Sequence, residues 1–113
     1  MKRLTPEGAL KKLVLDYLAA ERIHVRRNQV GRMQVGERRI PFGEKGEADC
    51  TAYVTPTPNC RPALFYILHL EFKAGTKQSA HQKAWQADAE ARGEFYLLVH
   101  DLDEVIAWLE AHK

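Results

Sequence analysis

The sequence predicts an α/β domain, a mixed central sheet flanked by helices in the order α-β-β-β-α-β-α. Three observations carry that expectation. Residues 6–20 repeat apolar side chains at helical spacing behind a helix-start signal, the middle of the chain changes to short alternating and continuous apolar runs, and beyond Gly75 helix, strand and helix signals alternate. A length of 113 residues makes one domain, 1–113, with a single core and no separate substrate domain. With 45% hydrophobic and 28% charged residues the chain belongs with globular proteins, and no apolar stretch reads as a secretory signal or membrane span, so a cytoplasmic protein is expected.

The first helix starts at Thr5-Pro6-Glu7, with Thr5 as N-cap and Pro6 where a missing N–H costs nothing, and runs to about Ala20. Leu10, Val14, Tyr17 and Leu18 form its core stripe. Glu7 sits at the top of that stripe. It can face inward over the sheet, or simply favour the positive end of the helix dipole.

From Ile23 to Ile40 short alternating runs, broken at Gly31 and Gly36, predict a curled antiparallel ribbon. It carries most of the arginines. Residues 22–45 hold seven Arg or Lys against two Glu, a local charge of +5 in a chain of net +2. Such a cluster is either a solvated face or a phosphate-contacting surface, for which Arg26, Arg27, Arg38, Arg39, Lys45 and, further on, Lys77 are the candidates. Gly43 and Gly46 make the following loop permissive for tight turning, with Glu47 expected in solvent.

A strand hairpin then brings chemistry together. Asp49 opens one apolar run, and Glu71-Phe72-Lys73 closes the next, with the Pro-rich segment 55–62 as the turn. Side chains at i and i+2 share a face, so Glu71 and Lys73 point one way and Phe72 the other. Two carboxylates and a lysine suit a hard cation and a phosphate. His69 lies on the same face and is read as a packed or hydrogen-bonded residue, and Tyr53 as core. Cys50 and Cys60 are too offset to pair across the hairpin and have no zinc-type spacing, so both are read as free thiols.

Ser79-Ala80-His81-Gln82 reads as a capping box opening a helix to about Arg92, with Ala80, Ala84, Ala87 and Ala91 as a small-residue ridge against the sheet and Trp85 beside it. Gly93 ends it. Phe95–Val99 is a continuous apolar run, expected as a strand covered on both faces. Asp101 caps a last helix whose Leu102, Val105, Ile106 and Leu109 dock inward, with Trp108 beside them.

Asp49 followed by Glu71-x-Lys73 resembles the signature of the PD-(D/E)XK nuclease superfamily. Gly43-x-x-Gly46-x-x-Asp49 and Lys77-Gln-Ser-Ala-His-Gln82 are similar to its virus-type replication-repair nuclease (VRR-NUC) family. Ala48 stands where the superfamily name has Pro, which alters a turn residue and removes no chemical group. The resemblance spans nearly the whole chain and implies a restriction-endonuclease-like core. It also implies a Mg²⁺- or Mn²⁺-dependent DNA endonuclease of replication, recombination or repair. The ion would be held by Asp49, Glu71, the carbonyl of Phe72 and Glu7, with Lys73 as base or charge stabiliser and Gln82 near the metal-bound water or a phosphate. A branched DNA substrate, resembling that of Holliday junction resolvases, and a homodimer follow from the same likeness, with Met33, Val35, Phe42 and Trp108 as interface candidates that core packing explains as well. The competing readings are a flap or nicking nuclease and a non-catalytic nucleic-acid-binding module. A carboxylate-pair sugar hydrolase explains neither Lys73 nor the arginines.

Overall fold

The computed structural model describes residues 5–28, 31–42, 46–55, 65–75 and 77–112. Helix α1 spans Pro6–Ala20, with the Thr5 hydroxyl accepting from the Gly8 N–H at 2.9 Å. Val14 and Leu18 on its inner stripe are fully buried. The helix stops at a left-handed residue, Arg22 (φ 61°), and the Ile23 N–H returns to the Leu18 carbonyl at 2.9 Å. One of the clustered arginines is thus a helix-end residue, in the place glycine usually takes.

Four strands form the main sheet in the order β1-β4-β5-β6: β1 (His24–Arg27), β4 (Cys50–Val54), β5 (Tyr66–Phe72) and β6 (Phe95–Val99). β1/β4 and β4/β5 are antiparallel and β5/β6 is parallel, so the sheet is mixed as expected. The parallel step is made through α2 (Ala80–Ala91), and α3 (Leu102–Ala111) follows β6. Among the described residues β2 (Gly31–Val35) and β3 (Arg38–Phe42) pair only with each other, around Gly36 (φ 63°).

The single ribbon expected over 23–40 is therefore two things, and five strands precede α2 where three were expected. His24–Arg27 leaves the ribbon because, paired with β4, it packs Val25 against the main core. Phe95–Val99 is an edge strand with only Val99 fully buried, so its apolar run reports helices on both faces and not a central position.

Alternation sorts the two sheet faces. Cys50, Ala52, Val54, Leu68, Leu70 and Phe72 join Val14 and Leu18 of α1 and Val105 and Leu109 of α3 in the main core. Truncating a buried leucine there costs roughly 2–5 kcal/mol. Thr51, His69 and Glu71 are buried on the other face, where Ala48, Trp85, Ala89 and Tyr96 make a smaller cluster under α2. The expected alanine ridge of α2 is not the face it buries: Ala80, Ala84, Ala87 and Ala91 are exposed, while Trp85 and Ala89 are buried with Gln82 and Gln86 beside them. Alanine is tolerated on either side of a helix, so the one large side chain chooses the face.

Trp108 packs with Tyr66, Phe95 and His112, stacking on His112 with ring centroids 3.8 Å apart. Cys50 is buried and free, and burial pushes its thiol up to about 11, which makes it inert. Among the described residues no helix is long and apolar enough to cross a membrane. Gly43, Lys45, residues 56–62 and Cys60 lie outside the described residues, as do the side chains of Arg38, Arg39, Met33, Val35 and Phe42.

Candidate active site

The site lies at the end of β5, on the α2 side of the sheet. β4 and β5 pair up to Cys50↔Leu70, and one step further the Asp49 carboxylate continues the ladder in place of a backbone carbonyl, its Oδ2 accepting from the Phe72 N–H at 2.9 Å. That bond holds Asp49 beside Glu71. Its own carbonyl accepts from the Asn28 N–H at 2.9 Å, extending β1 alongside.

Glu71 is only 3% exposed. Burial, then the neighbouring Asp49 charge, pushes its carboxyl up to about 7, against the opposing pull of Lys73. Lys73 Nζ stands 3.8 Å from Glu71 Oε1, its side chain 13% exposed and its N–H tied to the Val99 carbonyl. Oε1 also accepts from Gln82 Nε2 at 2.7 Å. The same Gln82 amide uses its oxygen to accept from the Ser79 N–H at 2.8 Å, while Ser79 Oγ accepts from the Gln82 N–H. Gln82 thus makes the capping bond the sequence predicts and also contacts the acid Glu71, where the resemblance implied a place near a metal-bound water or a phosphate.

Glu71 Oε2 is buried without a hydrogen-bond partner. The Asp49 N–H is close enough to the Glu71 carboxyl to favour its ionised form, yet Oε2 has no partner in hydrogen-bond geometry, and a cation would supply one. Among the described residues no set of three Asp, Glu, His or Cys side chains gathers around a common point, so Asp49 and Glu71 are the acids on offer. Magnesium is commonly held by one or two carboxylates, keeping waters and phosphate oxygens for the rest of its shell, so this donor set fits it. Glu7, half-buried in the first turn of α1, is near enough to raise Glu71 further but is not gathered into a three-acid cluster.

A second set of residues supports the first from behind. Glu94 Oε1 accepts from His69 Nε2 at 2.7 Å, His69 Nδ1 meets Thr51 Oγ1 at 3.0 Å, and Asn28 Nδ2 donates both to Thr51 Oγ1 and to the Ala48 carbonyl. Glu94 only accepts, because the Arg92 guanidinium bonded to both its oxygens holds it down to about 2. His69 therefore places an N–H on Nε2 toward Glu94, and its Nδ1 shares the remaining hydrogen bond with the Thr51 hydroxyl. The relay fixes the residue preceding Asp49. His69 is hydrogen-bonded, as its lone position on a strand suggested, and the period-two pattern already placed it on the Glu71 face; Thr51, which the same period would have put beside it, was not singled out. Asn28 was hidden by the misassigned ribbon.

Gly46 brings the approaching loop against α2. At φ 84°, an added Cβ would lie 2.3 Å from the His81 carbonyl oxygen, so only glycine fits. Glu47, expected in solvent, is half-buried and lines a groove of about 300 Å³ whose wall includes Thr51 and His69, the next row along the sheet from Asp49 and Glu71. Tyr53, expected in the core, lines the same groove, since its strand position faces away from α1 and α3. Of the basic candidates, Arg26 lines this groove, Lys77 is exposed just before α2, and Arg27 pairs with Cys50 and so sits on the opposite side of the sheet. No protein-family model, curated protein or solved structure matches the chain.

Proposed function

We propose that this chain is a magnesium- or manganese-dependent DNA endonuclease of the PD-(D/E)XK type, resembling the VRR-NUC family. The observation that carries the proposal is the buried, unpartnered Oε2 of Glu71 beside Asp49, with Lys73 on the other oxygen of the same carboxylate. Burying a carboxylate next to a second one costs stability, and the arrangement has a use only if a cation and an anionic substrate complete it.

Asp49 and Glu71 would hold the ion, with the Phe72 carbonyl as a further oxygen. When bound, it would polarise the phosphate and lower the pKa of a coordinated water. Lys73, a cation against a carboxylate, is placed to stabilise the negative charge that builds on the phosphorane. Gln82 keeps Glu71 in one rotamer, and the Asn28–Thr51–His69–Glu94 relay keeps Asp49 at the end of its strand. The basic residues supply sequence-independent attraction for the backbone. Branched DNA is the substrate class this reading favours, with two chains acting on opposed strands.

The test is nicking of supercoiled plasmid by purified protein with MgCl₂ or MnCl₂ against an EDTA control. Metal-dependent nicking lost in Asp49→Ala supports the reading. Intact plasmid together with intact labelled flap and four-way-junction DNA, with both metals, rules it out.

A further inference from the structure

The α2 face of the sheet is covered unevenly. Helix α2 packs over β6, and its Trp85 meets His69 edge-on at 4.7 Å, whereas the part toward β1 and β4 carries the open groove. Along that part, cross-strand register lays out rows. Beyond Asp49 and Glu71 comes Arg26↔Thr51↔His69, and beyond that His24↔Tyr53↔Ile67. Phe65, just before β5, closes the series with 53% of its surface exposed. His24 stacks on Tyr53 with centroids 5.6 Å apart, and Phe65 meets Tyr53 edge-on at 5.6 Å.

We propose that this face carries one unpaired DNA strand, its backbone drawn by Arg26 and its bases stacked on the His24–Tyr53–Phe65 cluster, leading away from the scissile phosphate at Asp49 and Glu71. The proposal rests on the nuclease reading and adds that two or three nucleotides beside the cut are unpaired when bound, which a flap supplies directly and a four-way junction supplies by opening at its branch point. Successive rows are about 7 Å apart along the strands, so the cluster lies about 13 Å from Glu71, two or three nucleotides of an extended strand. Aromatic faces are of use only to splayed bases, because a duplex keeps its own bases stacked on each other. A groove of about 300 Å³ admits a splayed base and not a duplex. Of the acids on its wall, Glu94 is matched by Arg92 and His69 and Glu47 is the other, while Arg26 is the cation on the β1 side that would meet a phosphate.

Binding in EDTA separates the proposal from catalysis. Fluorescence anisotropy with labelled (dT)₁₂ and with an abasic strand of equal length should show wild type preferring (dT)₁₂ by roughly fivefold or more. Phe65→Ala and Tyr53→Leu should lose most of that preference, Phe65→Tyr should keep it, and binding of the abasic strand should change little. Phe65 is exposed, so its substitution leaves folding intact, and a melting curve checks Tyr53→Leu. Equal affinity for both strands in wild type, or unchanged (dT)₁₂ affinity in Phe65→Ala, overturns the platform. Plasmid nicking without a (dT)₁₂ preference sinks the platform alone; the preference without cleavage of plasmid, flap or junction leaves a strand-binding face and sinks the nuclease reading.

Discussion

Glu71 and Glu94 show how position decides what a carboxylate does. Glu71, pushed up to about 7 by burial, keeps a proton in the folded chain that the unfolded chain has released above about 4.5. Metal-free stability should therefore fall as pH rises from about 4.5 to 7 and level off beyond, and Glu71→Gln should remove that slope. Glu94, held down to about 2 by Arg92, has the opposite sign: its contribution is complete above about 4.5 and is lost as pH falls toward 2. Magnesium should raise the melting temperature more at about pH 8 than at about pH 5, since it competes with the Glu71 proton, and a pH-independent response would place the ion elsewhere. In nicking assays Asp49→Ala, Glu71→Ala and Lys73→Ala should each lose roughly 10²-fold or more while DNA binding persists. Near wild-type turnover in any of the three would mean that the site has been misplaced.

Among the elements, the loop before β4 is the most sharply constrained. Gly46→Ala places a methyl against the His81 backbone, while Gly75→Ala, at a similar φ of 86°, meets open space. Both bear the left-handed penalty of roughly 1–2 kcal/mol. Only the former must also displace α2 or the loop carrying Asp49, so urea denaturation should show the larger loss for Gly46→Ala, and equal losses would contradict the close approach. Strand β1 offers a comparison within one element, because Arg26 and Arg27 point to opposite faces. Arg26→Ala should reduce the salt dependence of DNA binding by about one counterion, with little change for Arg27→Ala. The reverse order would put the DNA on the other side of the sheet.

For the whole molecule, α1 and α3 close one face around the main core, and the candidate site opens on the other. On the proposed nuclease reading one such site would cut one strand, so symmetric resolution of a four-way junction would need two chains about a two-fold axis. Trp108 is committed to packing with Tyr66, Phe95 and His112, which removes it as a free interface residue and leaves β2–β3, paired outside the main sheet, as the place to look. Sedimentation at about micromolar concentration should give a dimer that cuts both opposed strands of a labelled junction. A monomer cutting a single strand of flapped DNA would discard the junction substrate and keep the nuclease.

What the sequence determined by itself is what short-range interactions decide. Thr5, Ser79 and Asp101 cap their helices as read, because each hydroxyl or carboxylate bonds a backbone N–H three residues on. Period-two alternation placed Glu71 and Lys73 together with Phe72 opposite, and the hairpin allowed Asp49 to come within reach of Glu71, which the Phe72 N–H bond to its carboxylate makes definite. Tertiary structure alone decided that residues 24–27 join the main sheet, that β6 is a parallel edge, and that α2 turns Trp85 and not its alanines inward. It alone also buried Glu71 with one oxygen unpartnered. Those outcomes depend on which distant strand or helix covers a given face, and a local pattern that suits either side of an element carries no information about its neighbour.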